Sequence, residues 1–246
     1  MSQRERVEPA EMYAAARAER ERISQVYARY HATGLPDAQW GESPGARYIR
    51  DVKWRVVGEL VGSRPAWRSG SWIIDLGAGS RSELADPTID TRPAMAGVLA
   101  VDLLSRCTRA LSLQVGVHPV MGHGAFLPVA TGSVMVVWQS LMLSSVVDAS
   151  MRRHIYAEIA RVVAPGGLFV SYDTRYTNPW NPYTRPVALG ELRQAFAGWR
   201  QQHRTLTGLP PLLRWLAPTS RALCRLVESI PPLRAHRLFV AEKPAN

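Results

Sequence analysis

Lysine is nearly missing from this chain. Only Lys53 and Lys243 are lysines among 30 basic residues, so arginine carries almost all of the formal charge of +10. Those arginines are scattered, with no basic tail and no lysine-rich run of the kind that tracks a nucleic-acid backbone, so no nucleic-acid partner is expected. Cysteine is equally scarce. Cys107 and Cys224 stand alone without C-x-x-C spacing, which excludes a disulfide framework and a paired-cysteine zinc site, and no H-x-x-x-H pair replaces them. Long apolar runs are absent too: Val134 to Val147 is the longest near-apolar stretch and is too short and too interrupted to cross a bilayer. The first residues, Ser2 to Arg6, are polar, and a cytoplasmic location with reduced thiols is the expectation. At 246 residues and 46% hydrophobic content the chain can bury one full core.

What is present begins with Trp72-Ile-Ile-Asp-Leu-Gly-Ala-Gly-Ser-Arg81, a buried strand running into a glycine-rich turn. Gly77 and Gly79 permit positive φ and close backbone approach, and a helix is expected to follow with its free N–H groups aimed at a ligand. D-x-G-x-G also occurs in ordinary strand-to-helix turns. Arg81 stands where a dinucleotide motif needs its third glycine, so no pyrophosphate cradle is formed. A second apolar run, Gly97 to Asp102, ends in a carboxylate able to accept from two vicinal hydroxyls of a ribose. Gly122-His-Gly-Ala-Phe-Leu-Pro128 precedes a further strand, Val134 to Trp138, that leads into Gln139-Ser140. Asp148 can cap a helix with apolar positions Ile155, Ile159, Val162 and Val163, and Ala164-Pro165-Gly166-Gly167 stops it. Leu168 to Tyr172 then delivers Asp173.

Three attachments flank this core. Pro9 to Tyr30 reads as a long amphipathic helix, a lid or a dimer contact. A loop from His31 to Pro44 carries Trp40 and Glu42 and leads into a helix over Tyr48 to Val61. Between a sixth strand (Arg200 to Thr207) and a last one (His236 to Glu242) lies an insert, Leu209 to Pro232, with Leu216, Leu223 and Leu226 among Arg214, Arg221 and Arg225. It reads as a cap over the substrate opening. Its helix either packs its leucines on the core with its arginines solvated, or lies on an anionic membrane surface.

The segment Tyr172 to Tyr183 packs a carboxylate, a guanidinium, two amides, three tyrosines and a tryptophan into a proline-stiffened loop. Amides and carboxylates bind hydroxyls in fixed directions, and an aromatic face covers the C–H side of a sugar. Asn-Pro pairs also make turns, which leaves Asp173, Arg175 and Trp180 unaccounted for.

From about Trp72 to Asp173 the chain resembles the class I S-adenosylmethionine-dependent methyltransferases. Glu158-Ile-Ala-Arg-Val-Val-Ala-Pro-Gly-Gly-Leu-Phe-Val170 is close to the family's E-x-x-R-V-L-x-P-G-G segment, and the loop after Tyr172 is similar to the Y-D-x-R-x-x-N-P-x-N-P segment of members associated with glycan biosynthesis. The resemblance implies an α/β, Rossmann-like fold: a seven-stranded, mostly parallel sheet with an N-terminal helical cap (about 1–65), a cofactor-binding core (66–207), a helical insert (208–232) and a last strand (233–246). It further implies that S-adenosyl-L-methionine is bound with Asp75, Gly77, Ala78 and Gly79 at its methionine end and Asp102 and Leu103 at its ribose. His123 replaces an aspartate near the adenine, where the backbone of Gly124 and Ala125 could serve, and Gln139 and Ser140 open onto the cofactor.

The implied reaction is in-line attack by a hydroxyl of a sugar or short oligosaccharide, such as a methylated mannoside, on the sulfonium methyl. Asp173 is the first candidate base, with Asp148, Glu42 and His154 behind it. Trp40, Ser144, Arg175, Asn178, Trp180 and Asn181 are the candidate acceptor contacts. Ser144 and Ser145 occupy positions where similar enzymes often carry a His-His pair, so a histidine base is excluded there. Were Asp173, Asp148 and Glu42 to converge they would make an oxygen site for Mg²⁺, which the spacing does not require. A lipid, quinone or RNA acceptor, or a non-catalytic protein on the same fold, are the alternatives.

Overall fold

β-Branched and aromatic runs make the strands, and a computed structural model describing residues 9–32, 43–178 and 181–245 assembles them into one sheet. The strands are β1 (Trp72–Leu76), β2 (Gly97–Asp102), β3 (Val117–Met121), β4 (Val134–Ser140), β5 (Val163–Thr174), β6 (Arg200–Gly208) and β7 (Arg234–Glu242). Their order is β3-β2-β1-β4-β5-β7-β6, with β7 antiparallel to both neighbours and the other described pairings parallel. The order reverses between β1 and β4, and a crevice opens beyond the carboxyl ends of strands at such a point.

Among the described residues the α-helices are α1 (Pro9–Ala32), α2 (Pro44–Val61), α3 (Ser105–Leu111), α4 (Ala149–Val162), α5 (Leu189–Ala195), α6 (Pro210–Leu216) and α7 (Arg221–Ser229). Alternation along the strands sends Ile73, Val136, Trp138, Val170 and Tyr172 into one layer with Val57 of α2, Leu111 of α3, Leu213 of α6 and Cys224 of α7. Ile74, Leu76, Val137 and Phe169 face the opposite layer, with Ile155 and Ile159 of α4 and Leu192 of α5. Helix α2 starts sharply because Ser43 accepts from the Ala46 amide and Pro44 occupies the first turn.

The structure corrects the sequence reading at three places. No α-helix follows the glycine turn: β1 and β2 are joined by irregular chain with one 3-10 turn, Glu83–Ala85. Pro87 and Pro93 lack the N–H a helix needs, and the Asp86 side chain accepts from the Thr88 amide and hydroxyl, folding the segment into a local turn. Strand β5 begins at Val163 rather than Leu168, with Ala164-Pro165-Gly166-Gly167 accommodated by a shift in register against β4. The insert is two short helices, not one, because the chain breaks around Pro218. No described helix is long and apolar enough to cross a membrane.

Candidate active site

The glycine turn folds back over β2, with the Gly77 amide donating to the Val101 carbonyl at 2.8 Å. Gly77 and Gly79 both hold positive φ, +73° and +64°. Met142, from the loop after β4, fills the space where a Gly77 side chain would stand, whereas nothing lies within 4 Å of that position at Gly79. The close approach expected of a ligand at Gly77 is therefore made by a methionine of the chain itself. At the end of β2, Asp102 accepts from the Gly79 amide and from the Leu104 amide, each at 2.9 Å. Burial pushes its carboxyl up and these two donors hold it down.

Asp75 turns away from the crevice into the layer under α2, where it accepts from the Ser82 hydroxyl at 2.5 Å and burial pushes its carboxyl up to about 7. His123 is part-buried, and its Nδ1 accepts from the Ala125 amide at 3.1 Å. That bond fixes the neutral ring with its proton on Nε2 and occupies the Ala125 amide, correcting the expectation that this amide is free to serve a ligand. Gly124 packs where a side-chain carbon would meet Leu76 and Ile155.

Gln139 is fully buried, and its side chain is spent inside the protein. Its amide donates to Ser171 Oγ and, at 3.3 Å, to Asp173, while its carbonyl accepts from the Met142 and Leu143 amides. Asp173, 2% exposed, also accepts from the amides of Ser144 (3.1 Å) and Thr174 (2.8 Å). Burial pushes its carboxyl up to about 6 against those donors. Two residues after Gln139, Leu141 holds φ +62°, a left-handed conformation that a branched side chain rarely adopts and that tends to occur at functional sites.

The remaining candidates separate. Asp148 is exposed and caps α4, accepting from the Met151 amide at 2.6 Å. Buried Ser144 turns its hydroxyl to the Leu141 carbonyl. Arg175 donates to the carbonyls of Pro231 and Arg234, tying its loop to the insert. Asn181 accepts from Tyr30 of α1 at 2.7 Å, and the exposed Asn178 accepts from the Asn181 amide through its carbonyl. Trp40, Glu42 and Trp180 lie outside the described residues. Among the described residues no three His, Cys, Asp or Glu side chains converge as a metal site needs.

Two features had no sequence motif. Helix α1 runs over the loops that follow β3 and β4: Tyr13 stacks on Phe126 at 4.5 Å, Arg22 donates to the Ser145 carbonyl, and Tyr27 lines a small cavity with Ser145. Lys53 of α2 lies buried, its ammonium paired with Glu83, 3.5 Å from Ser140 Oγ and 5.1 Å from the centre of the Tyr172 ring. The rings of Trp54 and Trp138 are each 5.9 Å away. Its rarity in the chain was the available signal.

No protein-family model and no curated protein matches the chain. Solved structures do. The complex of the Trm112 methyltransferase activator with the putative methyltransferase of Haloferax volcanii matches with a TM-score of 0.60 and 18% identity, over 90% of this chain and 97% of that one. An S-adenosylmethionine-dependent methyltransferase of Mesorhizobium loti matches at 0.54 and 15%, over 78% and 97%. The geranyl diphosphate C-methyltransferase of Streptomyces coelicolor A3(2), crystallised with Mg²⁺, geranyl diphosphate and S-adenosyl-L-homocysteine, matches at 0.53 and 16%, over 78% and 79%. The fold is that of the class I methyltransferases. In this methyltransferase fold Asp102 ends β2 and accepts from Gly79 of the turn after β1, His123 follows β3, and Asp173 lies near the end of β5.

Proposed function

We propose that this chain transfers a methyl group from S-adenosyl-L-methionine to a hydroxyl of a sugar or short oligosaccharide. The observation that carries the cofactor half is Asp102, pinned by two backbone amides beside the open face of Gly79. Each carboxylate oxygen keeps a second lone pair, enough for two ribose hydroxyls. His123 fits an adenine by donating from Nε2 to a ring nitrogen, the reverse of what an aspartate would do. Met142 is unbranched and can swing off Gly77 to admit a methionine chain.

When bound, the cofactor supplies a sulfonium methyl that is already strongly electrophilic. The protein's tasks are then to align a hydroxyl and take its proton. Asp173, titrating near 6, is mostly ionised at neutral pH and suited to accept it. Its burial requires the Leu141 to Ser145 segment to yield first, and the strain at Leu141 favours that movement. The amide-bearing loop through Asn178 and Asn181, tied to Tyr30 of α1, supports a hydroxyl-rich acceptor.

Calorimetric titration with S-adenosylmethionine and S-adenosylhomocysteine, followed by a transfer screen over free and partly methylated mannosides with and without Mg²⁺, tests both halves. Asp102→Ala should weaken binding at least roughly tenfold, the loss of charge-assisted hydrogen bonds. Asp173→Asn should leave affinity intact and lower turnover on the order of a hundredfold. Failure to bind either cofactor form overturns the proposal; binding with full activity in Asp173→Asn removes that residue as the base.

A further inference from the structure

Helix α7 does not pack its leucines on the core, the first of the two arrangements its sequence allows. Its small residue Cys224 is fully buried, while Leu223 and Leu226 point outward, 44% and 61% exposed, and Ile230 beyond its end is 44% exposed. Positions 223, 226 and 230 share one helical face. Trp215 at the end of α6 is 74% exposed, so four of the ten large exposed apolar side chains among the described residues fall between 215 and 230. The arginines did not exchange places with them by turning inward: Arg221 and Arg225 are exposed beside these apolar side chains.

Charge decides what covers such a face. From 209 to 234 the chain carries Arg214, Arg221, Arg225 and Arg234 against one acid. That acid, Glu228, is turned in toward the Tyr48 hydroxyl at 3.0 Å, and burial pushes its carboxyl up. Arg221 pairs with Asp51 at 2.7 Å and lies 5.2 Å from the centre of the Tyr48 ring, but both charged groups are more than half exposed, so the ion pair is weak. A second copy of the chain meeting this face about a two-fold axis would set arginine against arginine. An anionic lipid surface instead matches both components: outward leucines, isoleucine and tryptophan for the acyl boundary, and arginines for the headgroups.

We infer that α6, α7 and Ile230 form a docking surface for an anionic lipid bilayer. The docking does not depend on the proposed reaction, although Arg175 and Tyr176 bind the carbonyls of Pro231, Pro232 and Arg234, so the loop that follows Asp173 would be held at the bilayer.

Sedimentation of the full chain with vesicles of phosphatidylcholine alone, and of phosphatidylcholine mixed with phosphatidylglycerol, provides the test. The expected result is binding to the mixed vesicles, none to phosphatidylcholine alone, and a fall in binding as salt is raised. Leu226→Ser/Ile230→Ser and, separately, Arg225→Glu should each lower partitioning at least roughly tenfold while leaving the thermal midpoint unchanged, since these groups face solvent. Val115→Ser, at a still more exposed apolar position after α3, should bind as the parent does. Absence of sedimentation with mixed vesicles at low salt, or undiminished binding by both variants, overturns the inference. So does a dimer by light scattering that Leu226→Ser/Ile230→Ser dissociates without any vesicle binding. Cofactor titration of the same samples separates this outcome from a failure of the proposed reaction.

Discussion

Gly77 answers to two constraints at once, a φ of +73° and the Met142 side chain against its α-carbon, whereas Gly79 answers only to its φ of +64°. Gly79→Ala should therefore lower stability by about 1 kcal/mol, the left-handed backbone penalty alone. Gly77→Ala should lose about 3 kcal/mol, because overpacking adds to that penalty. The double variant Gly77→Ala/Met142→Ala, compared with Met142→Ala in urea unfolding, should return the alanine cost to about 1 kcal/mol. Equal losses at both glycines would show that Met142 does not crowd Gly77. The need for glycine at both positions was legible in the sequence, because backbone conformation is a local property. The identity of the neighbour was not, because residues 77 and 142 meet only when β1 and β4 pair. Lys53 makes the same point: no spacing rule connects it to Glu83, Ser140 and Tyr172.

Helix α1 shows how an element acquires a role from its tethers. Its charged residues are spread along the helix, yet it is fastened at both ends, by Tyr13 to Phe126 at one and by Arg29 to Tyr183 and Tyr30 to Asn181 at the other. Arg22 bridges the middle, holding Glu19 of its own helix and the Ser145 carbonyl. Arg22→Ala should speed amide exchange in α1 and around Ser145 by roughly tenfold, the opening free energy of one charge-assisted hydrogen bond. The global unfolding midpoint should barely move, since the Arg22 bonds run to its own helix and to the loop after β4 rather than to the sheet. Hydrogen exchange read by mass spectrometry checks this, and unchanged protection would mean that Arg22 does not hold the helix. The sequence placed this helix correctly but left its partner open, because a polar helix does not encode which surface its ion pairs and tyrosines will meet. The missing helix after β1 is the converse case, in which glycine-turn analogy outweighed the local message of Asp86, Pro87 and Pro93.

At the scale of the whole molecule, buried titratable groups set opposing pH dependences. His236, packed on Tyr172 and bonded to Thr207, is pushed down to about 3 by burial, against 6.5 for an exposed ring. The unfolded chain therefore takes up a proton near 6.5 that the folded chain refuses, and stability is lost as pH falls from 6.5 toward 3. Asp75 works the other way: the folded chain keeps its proton up to about 7 while the unfolded chain releases it near 3.8, so stability is lost as pH rises across that interval. In urea unfolding from pH 4.5 to 8, His236→Gln should gain on the parent as pH falls below 6.5, by up to about 1.4 kcal/mol per unit. Asp75→Asn should gain on it as pH rises from 4.5 to 7 and hold that gain above. Parallel profiles for either variant would contradict the buried titration assigned to that residue.

The sequence by itself determined the alternation of the strands, the glycine turn, the carboxylate closing β2 and the cap at Asp148, since each depends on side chains a few residues apart. Tertiary structure alone decided that Met142 covers Gly77 and that Asp173 is enclosed by amide donors from the Gln139 to Ser144 segment. It also decided that the leucines of α7 face outward, because Cys224 and Val227 are the side chains that fit against β6 and the core. A helical wheel fixes which residues share a face, but the shape and volume of the surface it meets choose which face is buried.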